Sequence, residues 1–159
     1  MKPADFSAPL HQRYFEDYVP GSVYEYGSVR VDESEIVEFA KKFDPQDIHS
    51  DRDAAARGPF GGLIASGWHT AGLMMRLYAD HYLSKVASLA SPGVDELRWT
   101  RPVRPGDALR IRVTVLDAKR SRSKPDRGVV QSQIEVVNQR GEIVMSLKAI
   151  NLLRTRSSV

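Results

Sequence analysis

The chain has 159 residues, with 23 basic and 20 acidic side chains, four histidines and a net charge of +3. That length fits one domain whose core needs no cross-links, and the lack of cysteine excludes disulfides, thiolate metal sites and cysteine nucleophiles. Charges this close to balance, at a pI near 9.3, suit a small anion such as a phosphorylated cofactor as well as a polyanion.

The first residues, MKPADFSAPLHQRYFEDY, hold no apolar run resembling a signal peptide, so a cytoplasmic protein is expected. Aromatics and valines around Pro20-Gly21 then predict a strand near Val23 to Val31. DESEIVEFAKKF reads as a short helix with Asp32 or Ser34 as its cap, acids in its first turn, and Ile36, Val37, Phe39 and Ala40 on its apolar face. It ends at Asp44-Pro45, because a residue before proline is pushed out of the helical region. From Pro45 to Pro59 no apolar period is sustained, which predicts mainly loop with an alanine-rich turn at Asp53 to Arg57.

The stretch from Gly58 to Met75 carries no charge and borders on the length of a membrane span. It opens on Gly-Pro and Gly-Gly and contains Ser66, His69 and Thr70, which points to a buried helix rather than a membrane segment. Ile64, Trp68, Ala71, Met75, Tyr78 and Tyr82 recur at steps of four and three, and Leu63, Leu73, Met74 and Leu77 make the other faces apolar too. After Pro92-Gly93 the period becomes two. Val94 to Thr100, ALRIRVTVLDA, GVVQSQIEVV and EIVMSLKAINLL predict an antiparallel sheet of about four strands, with Gly141 turning the last hairpin. Such a sheet needs an apolar cover, and the long helix is the candidate. The expected class is α+β, a curved antiparallel sheet wrapped around a buried helix.

Two features could carry chemistry. Asp44 and His49 are five residues apart, close enough for a carboxylate to orient an imidazole or for both to hold one water. Eighteen residues after His49 comes Gly67, near the expected helix start, where unpaired N–H groups and a partial positive charge would suit an oxyanion or a thioester carbonyl. Tight packing would also explain that glycine. Other candidates are weaker: His69 reads as a core or interface residue, and KRSRSKPDRG as a basic hairpin without the aromatic interleaving of a nucleic-acid platform. No second histidine stands at ligand spacing from His49, so no metal site is expected.

The order FDPQDIHSD…FGGLIASGW resembles the hydratase pattern of MaoC-like dehydratases and (R)-specific enoyl-CoA hydratases, D-x-N-P-x-H-x-D followed by F-x-x-x-I-x-H-G-M. Asp44, His49, Asp51, Phe60, Ile64 and Gly67 fall on the pattern without a gap, and LRWTRPVRPGDAL resembles the family's V-R-P-G-D turn. Gln46-Asp47 stands for the family's Asn-Pro, Ser66-Gly67-Trp68 for its His-Gly-Met, and Met75 where some (R)-hydratases carry a serine.

The resemblance implies a single hotdog domain over residues 1–159, with residues 1–17 as an extended N-terminal arm, and a homodimer with a continuous sheet. It implies a hydro-lyase acting on an enoyl-CoA or 3-hydroxyacyl-CoA thioester in fatty acid metabolism, needing no cofactor beyond the coenzyme A of the substrate. Asp44 and His49 would activate the water and the Gly67 amide would polarise the thioester carbonyl, with Gln46, Phe60, Ile64, Ser66 and Trp68 around the acyl pocket. Nucleic acid and membrane partners are not expected. Two other readings share the fold: an acyl-CoA-binding protein without turnover, and an acyl-CoA thioesterase.

Overall fold

The computed structural model describes residues 3–157. Five strands, β1 (Val23–Arg30), β2 (Ser88–Trp99), β3 (Ala108–Arg120), β4 (Arg127–Val137) and β5 (Ile143–Arg154), form one antiparallel sheet in the order β1-β3-β4-β5-β2. The alternation in the sequence places Leu109, Ile111, Val113 and Val115 of β3, and Val130, Ile134 and Val136 of β4, on the buried face. Across that face lies α4 (Gly67–His81), which buries Thr70, Met74, Leu77 and Tyr78. Its far end reaches two strands through hydroxyls: Tyr78 donates to Asn151 of β5 (2.6 Å), and Tyr82 pairs with Ser132 of β4 (2.6 Å).

Residues before β1 make two short 3-10 turns, Leu10–Gln12 and Phe15–Asp17. Residues of this segment pack onto the sheet and the end of α4: Phe6 stacks on Tyr24 of β1 with centroids 4.0 Å apart, and Arg13 donates to the carbonyls of His81 and Tyr82, both at 2.9 Å.

Three expectations are corrected. First, the segment after Pro45 is helical: α2 (Asp47–Ser50) and α3 (Arg52–Arg57) follow α1 (Glu33–Phe43). Asp51 accepts from the N–H groups of Asp53 and Ala54, both at 3.0 Å, and so caps α3. Helices of four and six residues are too short to display an apolar period. Second, α4 starts at Gly67, as expected of that glycine, but Leu63 and Ile64, counted in its apolar stripe, lie before the helix, where the Ile64 N–H donates to the Ile48 carbonyl (3.0 Å). Nor is α4 covered all round, since Trp68 and Met75 are 59% and 45% exposed. Third, β2 runs through Pro92-Gly93 instead of starting after it. It is an edge strand with register shifts on both sides of Gly93, where a proline needs no ladder hydrogen bond.

Candidate active site

The site forms where the end of α1, the α2 turn and the start of α4 converge. Asp44 is the C-cap of α1, its N–H donating to the Ala40 carbonyl (2.8 Å), and Pro45 prevents further helix. His49 sits on α2, 6% exposed. Its Nδ1 lies 2.7 Å from the Ile64 carbonyl and its Nε2 lies 3.5 Å from Asp44 Oδ2.

A carbonyl can only accept, so the Nδ1 contact fixes a proton there. In the neutral ring, Nε2 then presents its lone pair to the carboxylate. Two acceptors facing each other are compatible with a water donating to both, or with a protonated imidazolium paired to the carboxylate. The pair can take up and release one proton, as acid–base chemistry requires.

Both oxygens of Asp44 accept further hydrogen bonds. Gln46 Nε2 donates to Oδ1 (2.6 Å) and the Ser66 hydroxyl donates to Oδ2 (2.7 Å). The Gln46 bond first, and then the Ser66 bond, hold the Asp44 carboxyl below the usual carboxylate range against the opposing effect of burial, with the nearby His49 contributing least.

Beside His49 is a cavity of about 270 Å³. Phe60, Ile64, Ala65, Pro102 and Val103 make it apolar, while His49, Gly67, Thr70, Trp99, Thr100 and Arg101 line the rest. Gly67 is the first residue of α4, where a helix leaves its N–H groups without intrahelical acceptors. It is also packed hard: the indole N–H of Trp99 donates to the Gly67 carbonyl (2.9 Å), and a Cβ on Gly67 would lie 2.3 Å from that ring.

Thus the fold brings together Asp44, His49 and Gly67, with Phe60 and Ile64 in the cavity wall. Three residues expected around the acyl pocket lie elsewhere. Gln46 and Ser66 grip Asp44 instead of lining the cavity, and Trp68 points outward, its ring edge-on to Trp99 at 5.0 Å. Trp99, Thr70 and the segment from Thr100 to Val103 were not singled out from the sequence. The only available signal was the TRPVRPGD stretch, whose backbone pairs with the pocket segment through Ala65 N–H to Val103 O (2.8 Å).

Arg104 in that stretch donates to the Phe60 carbonyl (2.6 Å) and to that of Gly62 (3.4 Å), fastening the glycine loop. His69 is 7% exposed and stacked on Phe39; burial lowers its pKa, and among the described residues its Nδ1 has no hydrogen-bond partner. The basic hairpin lies away from the cavity and pairs locally, as Lys119 with Asp117 and Arg127 with Asp126. Among the described residues, no cluster of three or more His, Asp or Glu side chains could hold a metal ion. No helix among them is long and apolar enough to cross a membrane.

Residues 16–138 match the family model described as MaoC like domain. The chain belongs to the MaoC-like family. A MaoC-like dehydratase from Rhodospirillum rubrum is 40% identical, with a TM-score of 0.84 over 91% of this chain and 99% of that one. The R-hydratase PhaJ1 of Pseudomonas aeruginosa, unliganded, is 25% identical with a TM-score of 0.72, covering 91% and 86% of the two chains. Among curated relatives, a 3-hydroxybutyryl-CoA dehydratase from Methylorubrum extorquens is 34% identical over 68% of this chain and 67% of its own. The α+β sheet around α4 is therefore the MaoC-like hotdog fold, and these MaoC-like relatives are named as hydratases and dehydratases.

Proposed function

We propose that the chain is a hydro-lyase that adds water to, or removes it from, the 2,3 double bond of an acyl-CoA thioester. The observation that carries this reading is the fixed tautomer of His49. With Nδ1–H committed to the Ile64 carbonyl, Nε2 is left as an acceptor 3.5 Å from the Asp44 carboxylate, at the wall of an apolar cavity that also holds the first residue of α4.

In hydration, a water donates to Nε2 and Oδ2 and its oxygen bonds to C3 of the enoyl group as one proton passes to the pair. The π electrons move toward the thioester oxygen, which takes the Gly67 N–H as the negative charge develops. The pair then returns a proton to C2, so the product has gained H and OH and the enzyme is unchanged. Dehydration is the reverse. No cofactor is needed beyond the coenzyme A of the substrate, and a cytoplasmic site of action fits this chemistry.

The unit that acts is a homodimer in this proposal. Strand β2 is an outer strand with nearly every residue exposed, and Trp68, Gly72 and Met75 of α4 and Val94 and Trp99 of β2 leave an apolar face open beside it. A second copy joined along β2 extends the sheet and covers that face.

The test is loss of enoyl-thioester absorbance with short, medium and branched substrates. Wild type should turn over, and Asp44→Asn and His49→Ala should each lose about 100-fold or more in kcat/KM. Turnover at equal rates in wild type and both variants, or none in any, rejects the reading. Release of free thiol with the double bond intact would indicate a thioesterase instead, and binding of the thioester without turnover a binding protein.

A further inference from the structure

Three polar side chains with no role in the proposed reaction stand close to its site: His69, Arg104 and Ser66. His69 faces Phe39 on the side away from the cavity, and Arg104 fastens a loop. Ser66 touches the reacting pair itself.

We propose that Ser66, assisted by Gln46, is a positioning residue that clamps the Asp44 carboxylate and couples it to the N-terminus of α4. This rests on the reading of Asp44 and His49 as the acid–base pair. Ser66 is fully buried (0% exposed), so its hydroxyl has no solvent to turn to. That hydroxyl donates to Asp44 Oδ2 at 2.7 Å, the same oxygen that faces His49 Nε2. At the same time it accepts from Trp68 N–H (3.3 Å) as the N-cap of α4. One Oγ thus joins the proposed base to the helix end whose first N–H would meet the thioester oxygen.

Gln46 completes the clamp from the other side, donating to Oδ1 at 2.6 Å while its own N–H donates to the Asp44 carbonyl (2.8 Å). With a donor on each oxygen, the carboxylate plane is fixed. A carboxylate has about four acceptor sites, so Oδ2 keeps one on the side of His49 for the water of the proposed reaction. Asp44 is kept anionic, and the spacing between base and oxyanion donor is set by a single hydroxyl instead of by two independent loops.

Two variants test this. Ser66→Ala removes the buried donor, and Gln46→Leu removes an exposed one whose side chain lies outside the core. Ser66→Ala should lose about ten-fold or more in kcat with KM little changed, because the contact organises the reacting groups and not the acyl chain. In both variants the acidic limb of the kcat/KM profile should move to higher pH. Independently of turnover, the Asp44 carboxyl, followed by carbon-13 NMR, should titrate at higher pH in each variant than in wild type. An unchanged Asp44 titration in both variants overturns the proposal, even if Ser66→Ala is slow for some other reason. If wild type proves inert on every thioester, the proposed function falls alone, and the NMR titration still decides whether the clamp exists.

Discussion

Gly67 has to be glycine whatever it does to a thioester. A methyl group there would sit 2.3 Å from the Trp99 ring, well inside contact distance, so Gly67→Ala forces the indole off its hydrogen bond to the Gly67 carbonyl. Overpacking of this kind costs about 1–3 kcal/mol, and urea unfolding should report a loss in that range. The double variant Gly67→Ala/Trp99→Ala should be more stable than the sum of the single effects, because the clash is gone. Strict additivity would refute the steric account. A glycine at the helix start was legible in the sequence, but the residue demanding it, thirty-two positions away at the end of β2, was not. The same holds at His49. Its spacing from Asp44 could be read directly, whereas the Ile64 carbonyl that fixes its tautomer is backbone and leaves no mark in the residue types.

Among the elements, legibility followed length and alternation. β3, β4 and β5, of 13, 11 and 12 residues with one buried face, were visible as a period of two. β2 is as long as β5 but exposed on both faces, so only its last part was recognised. That exposure is where the proposed dimer can be challenged. Wild type should sediment with twice the chain mass, and Val94→Arg combined with Met75→Glu should yield monomer, since the edge and the open helix face would both carry charge. A monomeric wild type at micromolar concentration would remove the dimer. α2 and α3 leave no periodic mark in the sequence because four and six residues complete too little of a helical period. The structure supplies their logic in the cap at Asp51, and Asp51→Ala should destabilise the chain by about 1 kcal/mol in the same urea assay. No change would mean that the packing of Ala55 against Val37 and Leu63 holds α3 without its cap.

Taken as one body, the molecule has its candidate site at the first turn of α4 and its anchorage at the last. At the anchored end, Tyr18 donates to the Tyr82 carbonyl (2.8 Å) and accepts from Ser84 N–H (2.9 Å), while Tyr78 and Tyr82 bond to β5 and β4. Phe6 packs edge-on against Tyr18, and the Arg13 guanidinium lies 3.6 Å over the Phe6 ring, so the residues before β1 close this end of the core. Burial pushes the phenols of Tyr18, Tyr78 and Tyr82 well above their ordinary value. In the unfolded chain they ionise near pH ~10. Above that pH the unfolded state has released protons that the folded state still holds, so stability falls as pH rises. Each fully ionised tyrosine adds about 1.4 kcal/mol of lost stability per pH unit. The melting temperature should therefore be nearly level from pH ~8 to ~10 and drop steeply beyond it. Tyrosinate absorbance from the buried three should appear only together with unfolding. Tyr78→Phe keeps the ring but removes one ionisable group, so it should make the alkaline fall shallower, although the lost bond to Asn151 lowers the plateau. A melting temperature unaffected by pH up to ~11 would show that these hydroxyls are not held as the core geometry requires.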